Sequence, residues 1–544
     1  MKLFFNRNLL LLAALGVFLY GAVIGISSWL KPGEAGTEKP VVSKREAAEA
    51  ALAFARERFG VGEADTFVTY RTHQLRSTYL ERKTLADTYE KKYGDKYPIE
   101  YFTVEIRSKS GDQHRFIDVN YTNKQILGWA VADDVLDARL KANPDRTKSE
   151  TVASAELKRL GYDPGDFTLM SRTDQRATLF LFESKSVAIG DAKLQLEIDA
   201  DEREVFGFSP VFVVPQEHID WKASQDWQAS LMTWVSLGFM FLMAVAGFIY
   251  AIVYRKQISF ARGALLTLIY AVFYCTNNLN MFPAFKAESG TAASQLDIIA
   301  ISIFMNFVTL LLTIGVYVSF VSGAELWRRT GWNPWPRWRE AAFGAEVWVS
   351  MGRGYLICLF ILGVQQVLFF VAEHGFGIWA VADASNSPLN MLVPSLFPLL
   401  AWCAAISEEA TFRLFGIAFF ERIVRWRFAA VLLPSIIWAA SHTQYPIYPV
   451  YTRLVEVTIL GIIFGYVFLK YGFMTVMFAH ATMDLLLMGL DLLVTGSGAD
   501  IGWGLFHMAS PLLIAAVLAW LHGRSQRRRR PGILEADGSG AAAG

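Results

Sequence analysis

Two adjacent acids and an arginine, Glu408-Glu409-Ala-Thr-Phe-Arg413, interrupt an otherwise apolar run. Two more polar breaks follow, Trp438-Ala-Ala-Ser-His442 and His480-Ala-Thr-Met-Asp484. Carboxylates and imidazoles in such company are the residues of general acid–base chemistry and of metal ligation. In lipid they are also expensive. A charge near the bilayer centre costs about 2.5–3.5 kcal/mol on insertion scales. Left unpaired, Glu408, Glu409, Arg413 and Asp484 would together cost about 10–14 kcal/mol, against a domain stability of about 5–15 kcal/mol. Such groups must face the interior of a helix bundle, where they are functional candidates by default.

Helical spacing assigns partners. Glu409 and Arg413 are i,i+4 and share a face, so an internal ion pair is expected. Glu408 is rotated about 100° away and is left as the carboxylate free to accept a proton. His480 and Asp484 are also i,i+4, so the acid can orient the imidazole or position a ligand. His442 comes from a different helix. At 1.5 Å per residue Glu408 and His442 lie about 20 Å from the inner ends of their spans, and His480 only about 10 Å. Those depths agree only if the helix carrying His480 is offset.

The elements that position these residues belong to a membrane chain. Of 544 residues, 53% are hydrophobic and 19% charged, which excludes a disordered chain and argues against an ordinary cytosolic enzyme. The net charge of +1 gives no reason to expect a nucleic-acid partner. Charge is segregated: residues 31–229 hold 63 of the 101 charged side chains. A span needs about 20 apolar residues, and ten candidates appear, at roughly 9–30, 230–254, 263–283, 296–320, 354–372, 391–420, 428–445, 454–471, 473–493 and 503–521. The first is too long for a secretory core and lacks an A-x-A site, so residues 1–30 read as an uncleaved anchor. With the N-terminus inside, the short inner connections carry Arg255, Lys256 and Arg262, then Arg328, Arg329, Arg337, Arg339 and Arg353, then Arg422, Arg425 and Arg427, and finally the run in the basic tail 524–544. The positive-inside rule then makes both termini cytoplasmic and residues 31–229 extracytoplasmic, with residues 230–523 as a nine-helix membrane domain in the cell membrane. The Trp- and Arg-rich segment 327–338 reads as an interfacial belt, and Gly461 with Gly465 as a close helix contact.

Residues 31–229 read as an α+β domain of two repeated modules, about 41–130 and 147–212, each a helix on a small antiparallel sheet. Ser43-x-x-Glu46 and Thr147-x-x-Glu150 are capping boxes, and Gly60 and Gly161 end the two helices. Related hairpins follow, Ile117-Asp-Val-Asn to Ile126-Leu-Gly-Trp129 and Ile198-Asp-Ala-Asp to Val205-Phe-Gly-Phe208. His73, His114 and His218 are scattered and read as ordinary surface histidines. The cysteines, Cys275, Cys358 and Cys403, lie in apolar runs, so this domain folds without disulfides. The helix–hairpin pattern resembles the PepSY modules of bacterial membrane proteins and protease propeptides, which implies a ligand or a propeptide as partner of the outer domain.

The three polar motifs together resemble the CPBP family, also called Abi, intramembrane endopeptidases that include type II CAAX prenyl proteases and bacteriocin-processing enzymes. Its pattern is EExxxR, then FxxxH, then HxxxN or HxxxD, over about residues 350–495 here. Trp438 stands for the usual Phe, a change that still fills apolar space, and Asp484 takes the acidic option. The resemblance implies that Glu408 activates water, that Glu409 and Arg413 hold it, that His442 assists proton transfer, and that His480 and Asp484 stabilise the oxyanion or position substrate. It also leaves two cofactor states open: Glu408, His442 and His480 could ligate Zn2+ with a fourth position free, or the glutamate could act without metal. The expected partners are the bilayer and a membrane-associated peptide or protein substrate. The competing reading is a non-proteolytic sensor or scaffold whose outer domain binds a ligand and whose polar network only sets helix registry.

Overall fold

The computed structural model describes residues 6–30, 42–109, 114–132, 144–170, 178–290, 293–496 and 498–528. Lys2 and the arginines beyond residue 528 lie outside these residues.

Helix α1 (Arg7–Leu30) precedes the sheet domain. Helix α2 (Lys44–Phe59) starts where its sequence dictates: the Ser43 hydroxyl accepts the Glu46 N–H at 3.2 Å, and the Glu46 carboxylate accepts the Ser43 N–H at 2.9 Å. Strand β1 (Ala64–Thr72) is followed by α3 (Gln74–Arg82) and α4 (Ala86–Tyr89), then by β2 (Glu100–Ser108), β3 (His114–Asn120) and β4 (Ile126–Val131). Helix α5 (Arg146–Arg159) is capped at Asp145, two residues earlier than the Thr147 box suggests. Asp145 accepts the N–H groups of Thr147 and Lys148 at 3.0 and 3.3 Å, and a carboxylate there also suits the helix dipole. Then come β5 (Phe167–Met170), β6 (Leu179–Ile189), β7 (Ala192–Ala200) and β8 (Val205–Val213).

The eight strands form one antiparallel sheet, ordered β1-β2-β3-β4-β8-β7-β6-β5, where two small separate sheets were expected. The predicted hairpins are β3–β4 and β7–β8, and their second strands pair with each other. At that seam Trp129 faces Phe208 with ring centroids 5.1 Å apart. Pairing there removes two exposed edges and buries both aromatics. Above the seam Arg58 of α2 bonds Glu156 of α5 at 2.8 Å and lies 4.1 Å from the centroid of the Trp129 ring.

The sheet is docked on the membrane bundle through polar contacts. The Asn390 side chain copies a strand: it accepts the Tyr70 N–H at 2.8 Å and donates to the Tyr70 carbonyl at 2.7 Å. Two of the scattered histidines serve this packing rather than the surface. His218 is buried and meets the Thr78 hydroxyl at 3.0 Å, while His114 meets Glu105 at 2.7 Å. Glu105 in turn pairs with Lys286 at 3.3 Å, both side chains buried.

The bundle is built from α6 (Gln216–Val253), α7 (Ala264–Asn280), α8 (Phe282–Ser289), α9 (Gln295–Arg328), α10 (Phe343–Phe376), α11 (Leu399–Glu408), α12 (Ala418–Val424), α13 (Arg427–Ala440), α14 (Tyr451–Tyr471), α15 (Phe473–Thr495) and α16 (Ala499–Arg528). Among the described residues seven helices are long and apolar enough to cross a membrane: α1, α6, α9, α10, α14, α15 and α16. The ten uninterrupted spans expected from hydropathy are therefore corrected. The expected span 263–283 is a 17-residue helix, 391–420 is broken, and 428–445 shortens to 14 residues. Gly461 and Gly465 do make a close contact, since a Cβ at either would fall 2.8 and 2.5 Å from Ser435 and Val431 of α13.

Candidate active site

The broken span carries the acids. Helix α11 ends at Glu408, and Glu409–Ile417 continue as a π-helix whose nine residues are all buried. Insertions of this kind leave backbone carbonyls in need of donors and are frequent at functional sites. Here the indole N–H of Trp327 takes the Leu414 carbonyl at 2.8 Å. Gly323 lets the two backbones touch, because a Cβ there would meet the Leu414 carbonyl carbon at 2.8 Å. Part of the Trp-rich segment turns inward: Trp327 is buried, and Trp332 and Trp335 pack on Phe468 and Phe473, while Arg328, Arg329, Arg337 and Trp338 stay exposed.

That inward fold also sets the height of His480. The Phe473 N–H donates to the Pro334 carbonyl at 2.9 Å, and the Phe473 ring meets Phe320, eight residues before the end of α9. The start of α15 is recessed by roughly 10 Å, which is the offset the depths of Glu408, His442 and His480 demand. Gly472 makes the recess, with φ +83° and the Pro334 oxygen 2.5 Å from where a Cβ would sit.

All six candidate residues meet in one place. Arg413 donates to Glu409 Oε1 at 3.0 Å, and His480 Nδ1 donates to the same oxygen at 2.6 Å. The His480 Nε2 is 3.8 Å from Glu408 and 3.4 Å from Asp484. The His442 Nε2 is 3.9 Å from Glu408, and His442 Nδ1 lies 2.9 Å from the Trp438 carbonyl. A carbonyl only accepts, so Nδ1 carries the proton and Nε2 is left toward Glu408.

Sequence reasoning missed one member. Trp438 is not only a filler, for its indole N–H donates to Glu408 Oε2. The Arg413 guanidinium lies 4.2 Å from the centroid of the Trp438 ring, and both imidazoles pack against it with centroids 5.1 and 5.7 Å away. The signal was present: a Trp at a position where Phe would suffice adds one donor. Phe464 stacks on His480 at 5.0 Å and closes the far side.

Exposure divides the six into two layers. The side chains of Glu409, Arg413 and His480 are 0, 2 and 3% exposed, whereas those of His442, Glu408 and Asp484 are 19, 22 and 23% exposed. The inner three form an ionic brace around Glu409 Oε1, with Glu409 Oε2 and Arg413 Nη2 buried without a hydrogen-bond partner among the described residues, and the outer three can reach solvent. As a zinc site the set fits poorly. Among the described residues no group of three or more His, Cys, Asp or Glu is arranged to hold a metal ion. Glu408 accepts the indole N–H of Trp438 on Oε2, which leaves Oε1 as its other oxygen.

The carboxylate of Glu408 and the two imidazoles beside it lie within a known family segment. The model of the family described as type II CAAX prenyl endopeptidase Rce1-like matches residues 390–486, narrower than the expected 350–495 and inclusive of all six residues. No curated protein and no solved structure matches the chain. The protein is a membrane protein whose segment 390–486 is similar to the type II CAAX prenyl endopeptidase Rce1-like family.

Proposed function

We propose that the protein is an intramembrane endopeptidase that hydrolyses a peptide bond in a membrane-associated protein or peptide. One observation carries the reading: Glu408 sits between two imidazole Nε2 atoms at 3.8 and 3.9 Å, each fixed from behind by a bond to its Nδ1. Those gaps are too long for direct hydrogen bonds and suit a bridging water. Glu408 takes a proton from that water as its oxygen attacks the scissile carbonyl carbon. The oxyanion that forms is met by His480 Nε2, with Asp484 as its neighbour. When the C–N bond breaks, the proton held on Glu408 passes to the leaving amine, assisted by His442. Glu409 and Arg413 touch neither water nor substrate; they fix the height and rotation of His480. The reaction balances with water as the only co-reactant; a glutamate mechanism without Zn2+ is preferred because, among the described residues, no group of three or more His, Cys, Asp or Glu is arranged to hold a metal ion.

The outer domain is read as two copies of one helix-plus-meander module joined at β4–β8, holding a ligand or a propeptide. The sheet is assigned to the extracytoplasmic side, supported by the arginines gathered at the other end of the bundle, where Arg329 lies over Tyr254 and Arg422 over Tyr250. The test is cleavage in proteoliposomes. Glu408→Gln is expected to abolish it while insertion and thermal unfolding stay unchanged, and wild-type cleavage is expected to persist in a strong zinc chelator. Cleavage retained by the variant would overturn the reading.

A further inference from the structure

We propose that the site is reached only from the face of the bundle that carries the sheet domain, and that its substrate is an extended peptide segment presented at that face. This rests on the peptidase reading for the word substrate, but not for the direction of access.

Four observations point the same way. Two of the three partly exposed side chains lie sheet-ward of the buried ones in their own spans, Glu408 of Glu409 and Arg413, and Asp484 of His480; the third, His442, follows the sheet-ward end of α13. Chain direction makes this unambiguous. Helix α11 runs from Leu399, just below the Asn390 contact with β1, inward to Glu408, and the buried Glu409 and Arg413 follow further in. Helix α13 is only 14 residues, about 21 Å long, so it stops short of a core about 30 Å thick. His442 therefore stands below the rim on the sheet side.

The segment after His442 is anchored to the side of the site, with Gln444 and Tyr445 exposed and Thr443, Tyr448 and Val450 buried. Thr443 donates to the Ala229 carbonyl at 3.1 Å and Gln225 accepts the Val450 N–H at 3.0 Å, which ties 443–450 to the stalk of α6. Tyr445 is exposed and its ring lies parallel to His442, 6.2 Å away. From the opposite face the path is shut. Trp327, Trp332, Trp335, Phe468 and Phe473 form a packed aromatic layer beneath the buried π-helix.

The distances set the class of substrate. From Leu399 to Glu408 is ten residues of helix, about 15 Å. An extended chain covers that in roughly four or five residues. A compact domain cannot follow, so the scissile bond must lie at least that far from any folded part. With the sheet domain outside, the substrate is a membrane-anchored chain with an extended extracytoplasmic stretch beside its anchor. A cytoplasmic lipid-bearing C-terminus is presented at the wrong face.

Single cysteines test the direction of access. Cys275, Cys358 and Cys403 are replaced by serine or alanine, and one cysteine is returned at a time. Lys185→Cys marks the sheet-domain face and Lys256→Cys the opposite one; both positions are exposed. Glu408→Cys and, as an independent probe, Asp484→Cys report the site. A membrane-impermeant cationic thiosulfonate is added to sealed vesicles of either orientation. Both site cysteines are expected to react in the vesicles where Lys185→Cys reacts and to lose that labelling where only Lys256→Cys does. Reaction from the Lys256 face, or from neither face, would overturn the proposal. Because labelling needs no turnover, a protein that fails to cleave peptides but labels from the sheet face would sink the peptidase reading alone.

Discussion

At the scale of the residue the site is a division of labour between charged groups that stay dry and those that stay wet. Glu409, Arg413 and His480 pair with one another, as buried charges must, through Glu409 Oε1; Glu408 keeps Oε1 toward His442 on the open side. The sequence made most of this legible, because charge in an apolar run and i,i+4 spacing are local signals. The Glu409–Arg413 bond followed from spacing alone. What spacing could not give was the Trp438–Glu408 bond, since it joins two helices whose relative rotation is a product of packing. Trp438→Phe keeps the ring under Arg413 and removes only the N–H. A hydrogen bond to a charged group is worth about 1.5–3 kcal/mol, so kcat is expected to fall by about 10- to 100-fold. KM should hardly move, as the indole touches Glu408 and not the substrate. Steady-state kinetics of the variant check this; a change confined to KM would contradict it.

At the scale of the element, hydropathy found the long helices but not their irregularities. The apolar stretch 391–420 looks continuous, yet the structure divides it into α11 and a π-helix. The division depends on a donor from Trp327 and a gap at Gly323, both on α9, some 90 residues away. The recess of α15 likewise depends on Pro334, in a segment whose tryptophans and arginines read as an interfacial belt. The depth mismatch among Glu408, His442 and His480 was the one trace of it in the sequence. Gly472→Ala tests the recess. A side chain at φ +83° costs about 1–3 kcal/mol, and its Cβ also meets the Pro334 oxygen. Stability to thermal unfolding should drop by that order, and cleavage should fall further than the loss of folded protein explains, because His480 moves with the helix. A variant as stable and active as wild type would mean that the turn carries no strain.

At the scale of the whole molecule, the sheet domain and the bundle behave as one body because buried polar contacts cross between them. Burial alone would raise Glu105, but its bond to His114 and the Lys286 charge hold it down at about 2. A carboxylate depressed in the folded state adds stability above its unfolded range, near 4.5, and loses it as pH falls through about 2. Docking is therefore expected to be flat from neutral to mildly acidic pH and to weaken only below about pH 4. Glu105→Gln leaves buried Lys286 without its carboxylate, with the Ala293 carbonyl still accepting from it, at a cost of about 3–5 kcal/mol. Amide protection in β1–β3 of the intact protein reads both effects, and equal protection in the variant would count against the latch. The sequence showed two helix–hairpin units but not their fusion, because the seam at Trp129 and Phe208 is a long-range pairing with no local mark. It likewise carried no sign of Asn390 standing in for a strand. That Glu408 makes this bundle a peptidase is tested most directly by comparing protein N-termini in membranes holding the wild-type chain and Glu408→Gln at equal abundance. New N-termini a few residues beyond membrane anchors should appear with the first and vanish with the second; identical sets would contradict that role for Glu408.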